Sequence, residues 1–487
     1  MEKVIANKEN RNFAEVTYGM KKAMGLLVLS FLLGFLGPSW SEAEGRKPAV
    51  EADYETLRTA IVMSFDDSIY KSSEMGLSAH PIFSKTLSPS AIQEHKALVG
   101  LLEKAGVKVL QVRDLLQDAV DRARRKGALE GWIRETYPDQ YERILPYLDQ
   151  VNADTILQCS DKLFYRSNEK GEFDPLFIPI ALMYWSHDFA ISTPKGVVIG
   201  NSVVFSRTFE NAIARLIFPY AAALRDFPVV LDAAREGVNL DGGDVIVRDE
   251  KTLFVGIGNR SDKKAAPLLA KKLDMDVFAV TMPPIDKPNG MRSLFLHLDS
   301  IFNFVDHDKI VAIPYFLEKD YINRNPMTRI LAGLAAQTDS MMSRIKPMDS
   351  GGGSKQIRLT IKLMPEVGWV TKYEAGTGKE TPLGMKLVDY ARSQGWKIIP
   401  VGGNREGMEE DKWMLERVIH EQRWQGANIV QLGPGRVIAF QHNTHTNDAL
   451  RRAGIEVSTF PGELIALRYG GPHCLILPLV RKKVPDS

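Results

Sequence analysis

The chain has 487 residues, 44% hydrophobic and 25% charged, a composition that excludes disorder, collagen and coiled coil and supports a sizeable buried core. Its 62 Lys and Arg against 60 Asp and Glu leave a formal charge of +2, with no general attraction to nucleic acid or acidic membrane. Two cysteines, Cys159 and Cys474, exclude a disulfide-built scaffold, and no CxxC or closely spaced Cys/His group offers a structural zinc site.

At the N-terminus, Lys21 and Lys22 precede an apolar run from Ala23 to Gly37, and small residues two apart follow at Ser39, Ser41 and Ala43. That order predicts a secretory signal over residues 1–43 and export to a periplasm or the outside. An uncleaved anchor is the alternative, although the run is short of the roughly 20 apolar residues a spanning helix needs. Met20, directly before the basic pair, makes the better start for such a signal.

Residues 44–487 carry a repeated plan of strand, turn, strand, helix, strand, which places the chain in the α/β class. LRTAIVM with the helix SAIQEHKALVGLLEKA, Gly106 and VKVLQV forms the first of five countable units, and Ser90 with Gln93 fits a capping box for its helix. GVVIGNSVVF and the helix after it give the second. The third runs DVIVRDEKTLFVGIG, SDKKAAPLLAKKL, MDVFAV. The fourth opens at FLHLDSIFNFVDHDKIVAIP and closes at LGMKLVDYARSQGWKIIPV, and the fifth runs ANIVQLGPGRVIAF, THTNDALRRA, Gly454, IEVSTF. Residues 113–178 read as a helical insertion, and 318–355 as a further helix with a Gly-rich link. Repeats of this size put functional groups at module ends.

Two tempting fragments fail. GTGKET at Gly376 lacks P-loop spacing, and HEQRW at His420 lacks the second His of a zinc protease. Four spots remain, each at the edge of an apolar strand: His187-Asp188, Asp241 to Asp244 in LDGGD, His297 with Asp299 in FLHLD, and Cys474 in GGPHC. Singly, each has an ordinary reading as turn, surface or core. A Cys159–Cys474 disulfide is the plain structural alternative for the cysteines.

Together and in this order they resemble the arginine deiminase family of guanidino-group modifying enzymes. The resemblance runs from LRTAIVM to GGPHCLILPLVR and is densest in IIPVGGN, HEQRWQGANIVQLGPGRVIAFQHNTHTNDALRRAGIEV and RYGGPHC. It implies a pseudo-fivefold α/β propeller with an inserted helical subdomain, a small guanidino substrate, and no metal or organic cofactor. Cys474 matches the nucleophile, Asp188 and Asp299 the guanidinium-holding carboxylates, and His297 the acid and base. Asp241 stands where the family usually has Glu, and Asp244 closes the same motif. Arg260 and Arg207 match carboxylate-binding arginines. Two departures touch the amino-acid end: Leu182 replaces an Asn six residues before Asp188, and Tyr469 replaces an Arg five residues before Cys474, with Arg468 adjacent. The expected reaction is hydrolysis of arginine to citrulline and ammonia. An amidinotransferase, a deiminase of another guanidino compound, and a secreted binding protein are the competing readings; homo-oligomerisation stays open.

Overall fold

The computed structural model describes residues 50–64, 89–157, 165–167, 173–175, 177, 180, 183–282, 296–313, 317, 367–467 and 470–483. The signal segment, the 318–355 insertion, Cys159, Leu182, Arg468 and Tyr469 lie outside them. Among the described residues, no helix is long and apolar enough to cross a membrane.

Among the described residues, five sheets have three or more strands, and four of them share one construction: an antiparallel hairpin, a helix, and a third strand parallel to the second. The second module pairs Ala190–Thr193 with Gly196–Ile199, then sends the helix Phe205–Tyr220 back to Val229–Asp232. The third uses Val245–Asp249, Thr252–Ile257, the helix Ala265–Leu273 and Asp276–Thr281. Phe302–Asp306, Lys309–Ala312, Leu387–Ser393 and Lys397–Pro400 make the fourth. Val430–Gly433, Arg436–Phe440, Thr444–Arg452 and Glu456–Phe460 make the fifth.

The first module is assembled from both ends of the described chain. Thr56–Val62 lies parallel to Lys108–Gln111 across the helix Pro89–Lys104, but its antiparallel partner is Ile476–Lys482. Arg481, fully buried, fastens this junction by donating to the carbonyls of Glu55 (3.0 Å) and Gln431 (2.8 Å).

Local chemistry explains the module shape. After their helices, Gly106 and Gly454 take positive φ (80° and 84°), and Asp274 does the same in the third module at φ 51°. This left-handed residue ends the helix and turns the chain into the returning strand. In the third module the strands are buried on both faces, and the pleat divides their side chains between two cores. Ile246, Phe254, Phe278 and Val280 face one apolar cluster, while Val245, Val247, Leu253, Val255, Val277 and Ala279 face another. Ala265, Ala266, Leu269, Ala270 and Leu273 cover the second face with a helical stripe.

Three expectations shift. The first helix begins at Pro89, so Ser90 lies in its first turn instead of capping it, with the proline at a position that needs no N–H partner. The insertion after the first module is helical from Val112–Arg125 to Ala153–Leu157 and then gives way to a short antiparallel ribbon, Tyr165–Ser167 with Phe173–Pro175. Trp369–Tyr373 and Glu380–Lys386, though interrupting the fourth module in sequence, extend the third sheet through Asp276–Thr281. The GTGK of GTGKET lies in the turn between those two strands, and its Glu380 and Thr381 begin the second of them. Glu421 of HEQRW accepts from the N–H groups of His445 and Thr446, both at 2.7 Å, at the start of the helix Thr444–Arg452.

Candidate active site

Each module sends a turn into its first strand, and these turns carry the polar residues. Asp188 precedes Ala190–Thr193, Asp244 precedes Val245–Asp249, Asp299 precedes Phe302–Asp306, Asn428 precedes Val430–Gly433, and Cys474 precedes Ile476–Lys482. Hydrogen bonds join the five turns in a closed circuit. Gly243 N–H donates to Asp188 Oδ1 (3.0 Å), and Leu298 N–H to Asp244 Oδ1 (3.0 Å). The Asn303 amide reaches the Ala427 carbonyl at 2.8 Å, and the Asn428 amide reaches Cys474 Sγ at 3.2 Å. His187 N–H returns to the Cys474 carbonyl at 3.1 Å.

The glycines of LDGGD and GGPHC permit this closeness. A Cβ on Gly243 would stand 2.6 Å from His297 Nδ1, and one on Gly471 would stand 2.5 Å from Asn428 Oδ1.

Cys474 is a free, buried thiol. It donates to Asp299 Oδ2 at 3.7 Å, and its N–H and that of His473 donate to Asn428 Oδ1 at 3.3 and 3.0 Å. Burial pushes the thiol well above its ordinary pKa, and the charges of Asp299 and Asp188 add to the rise. His473 Nδ1 donates to Asp299 Oδ2 at 2.9 Å, and the His187 ring lies with its centroid 4.2 Å from that of His473. Burial lowers both imidazoles to about 3, so both are neutral.

Opposite charges meet around His297. Its Nε2 lies 3.2 Å from Asp241 Oδ2, and its Nδ1 3.8 Å from Asp188 Oδ1. Burial works against the imidazolium, but Asp188, Asp241 and Asp244 outweigh it and raise His297 to about 9. Burial would raise Asp188 as well, yet His297 and Arg207 hold it well below the usual carboxylate range. Asp299 has no such clamp and is pushed up to about 6 by burial, against His297 and His187. Asp241 also receives Arg260 at 3.3 Å.

Two residues expected at the substrate are engaged elsewhere. Arg207 is buried, donating to Asp188 Oδ2 (2.6 Å), Glu210 Oε2 (3.0 and 2.8 Å) and the Trp185 carbonyl (3.3 Å). Asp244 accepts from Ser261 Oγ at 2.7 Å with one oxygen and from Leu298 N–H with the other. Arg260 is the expected anchor that keeps partial exposure, at 20% of its side chain. Asn428 and Glu210 enter the site without any motif to announce them; the one sequence signal for Asn428 is its place two residues before a module's first strand, shared with Asp188 and Cys474.

Asp241 Oδ1, Asp299 Oδ1 and His297 Nδ1 are buried without a hydrogen-bond partner among the described residues. The bare oxygen of Asp299, on a carboxylate beside the Cys474 thiol, suits a flat cation that brings several N–H donors.

The arginine deiminase family model matches residues 139–481. The chain belongs to the arginine deiminase family. The arginine deiminase of Mycoplasma capricolum is 23% identical over 454 residues, covering 91% of this chain and 99% of its own. The arginine deiminase of Mycobacterium avium is 26% identical over 413 residues, covering 80% and 87%. Among solved structures, SxtG, an amidinotransferase from Microseira wollei, aligns over 90% of this chain and 99% of its own at 12% identity and a TM-score of 0.45. DDAH from Pseudomonas aeruginosa, complexed with citrulline, aligns over 87% and 99% at 11% identity and a TM-score of 0.40. The candidate site residues of this arginine deiminase family member come from four turns that the sequence singles out, joined by Asn428 from the fifth.

Proposed function

We propose that the protein hydrolyses a guanidinium group, with arginine the first substrate to consider and citrulline and ammonia the products. The observation that supports this reading is the closed circuit of five turns, which joins the turn of Asp188, that of His297 and Asp299, and that of Cys474 although the three lie far apart in the chain. The same circuit supports arranging the five modules as a pseudo-fivefold α/β propeller.

The resting site is poised for a cation. Burial and two carboxylates keep Cys474 a thiol; a guanidinium bound between Asp188 and Asp299 would offset both carboxylate charges and let the thiol release its proton to solvent, forming the thiolate beside the carbon it attacks. Attack by Sγ gives a tetrahedral adduct. His297, charged at neutral pH, would pass its proton to the departing ammonia, leaving an amidino group on sulfur. The neutral imidazole then takes a proton from water, whose oxygen displaces Cys474 and completes the ureido product. Asp241 holds the His297 ring through Nε2, the shorter side chain being sufficient because the two groups are in direct contact. Arg260 is the candidate anchor for the substrate carboxylate.

The test is a panel of guanidino compounds with separate readouts for ammonia, ureido product and transferred amidino group. Equal amounts of ammonia and citrulline from arginine, and loss by on the order of 10⁴-fold in a folded Cys474→Ser protein, are expected. Amidino transfer without ammonia would make the protein a transferase, and binding without turnover would make it a binding protein. Export belongs to the same proposal, supported by the basic pair, apolar run and small residues near Ser41.

A further inference from the structure

The side chains around Cys474 include two imidazoles that turnover leaves unused, gathered at Asp299. His187, Asp299 and His473 each bring one ligand atom to within 4.8 Å of the other two, and all three are buried. Hydrogen bonding fixes which imidazole nitrogens are available. His187 Nδ1 faces the Ile476 carbonyl at 3.1 Å, which can only accept, so Nδ1 carries the proton and Nε2 keeps its lone pair. His473 Nδ1 lies 2.9 Å from Asp299 Oδ2, so an ion between them would take the place of the proton they share, with the ring proton moving to Nε2. Neither His187 Nε2 nor Asp299 Oδ1 has a hydrogen-bond partner among the described residues. Buried lone pairs without donors are costly unless something electropositive meets them.

A histidine whose second nitrogen donates to a carbonyl or carboxylate is the arrangement that orients an imidazole for a metal. Two imidazoles, a carboxylate and a thiol together match zinc and its divalent neighbours, and lack the oxygen-rich character that calcium or magnesium requires. We propose that the pocket binds one divalent transition ion of zinc's ligand preference through His187, His473 and Asp299, with Cys474 as fourth donor, and that the ion closes the site reversibly. Coordination replaces the S–H bond with a sulfur–metal bond and releases the proton to solvent. The nucleophile and a guanidinium-holding carboxylate are then both occupied, so the ion is an inhibitor and not a participant in turnover. Four donors about 2.1 Å from one ion stand about 3.4 Å apart, so side-chain rotations must draw the cluster together from its 4.8 Å spread.

Only the inhibitory consequence rests on the hydrolase reading; binding is tested without turnover. Co²⁺ titrated into the chelator-treated full-length protein should saturate at one equivalent, with the visible bands of tetrahedral cobalt and a thiolate-to-cobalt charge-transfer band. Cys474→Ser should retain the visible bands and lose the charge-transfer band. His187→Gln, checked for folding by circular dichroism, should bind at least about tenfold more weakly. No saturable site in the wild type, or wild-type affinity in folded His187→Gln, overturns the proposal. A second measurement covers a variant that does not fold: Zn²⁺ should slow alkylation of Cys474 in the wild type, with full recovery on adding chelator, and an unchanged alkylation rate overturns the proposal equally. Failure of both leaves the guanidinium chemistry standing, whereas Zn²⁺ binding with no guanidinium turnover would remove only that chemistry.

Discussion

In the proposed mechanism Asp188 and Asp299 do the same job on opposite sides of a guanidinium, but they are prepared differently. Asp188 is ionised by Arg207 and His297, while Asp299 sits near about 6 until a cation arrives. The sign of the pH dependence follows. As pH rises through about 6, Asp299 loses its proton and binding improves; as it rises through about 9, His297 loses the proton the leaving ammonia needs. A bell-shaped kcat/KM between those values is expected from initial rates at constant ionic strength, and a profile rising steadily past pH 10 would remove His297 as the acid. Glu210, pushed up to about 7 by burial, acts on Asp188 through Arg207. Glu210→Gln weakens Arg207's hold and should lower kcat/KM by roughly tenfold to a hundredfold while shifting the acid limb, whereas a purely structural role would lower the melting temperature and leave the limb in place. Cys474, Asp188, His297 and Asp299 were legible in the sequence because short strand edges displayed them. Glu210 was not, since a carboxylate three residues from an arginine on a helix reads as an ordinary surface pair until burial is known.

At the scale of elements, the turn entering each first strand is the functional unit, and its precision comes from glycine. Gly243→Ala would drive a methyl to 2.6 Å from His297 Nδ1, so the ring must move although the strand that follows does not. A fall in kcat of about 10²-fold with little change in unfolding midpoint is expected, because displacement on the order of 1 Å carries that penalty. Unchanged kcat would show that the His297 position is not critical. Hairpins, helix stripes and the Gly106 and Gly454 stops were readable from local pattern, since each is decided within a few residues. The pairing of Trp369–Tyr373 with Asp276–Thr281 was not, because the partner is remote in sequence and nothing local selects it.

At the scale of the molecule, both ends of the described chain complete one module. Ile476–Lys482 pairs with Thr56–Val62, and Arg481 ties the first module to the fifth through Gln431. The repeat count suggested five units, but the donation of the last strand to the first module was hidden, since strand pairing between chain ends leaves no periodic trace. It bears directly on the proposed mechanism: Cys474 stands at the entry to that last strand, so the proposed nucleophile is set in place only when the circuit closes. The central claim is therefore that Cys474 takes up the amidino carbon of a guanidinium at the meeting point of the five turns. The most direct measurement is acid quenching during turnover of arginine labelled with ¹³C in its guanidino carbon, followed by mass mapping of the peptide containing Cys474. The account predicts a labelled amidino adduct on that cysteine that appears before citrulline and decays with substrate exhaustion; citrulline formation with Cys474 unmodified throughout, and undiminished in Cys474→Ser, would contradict it.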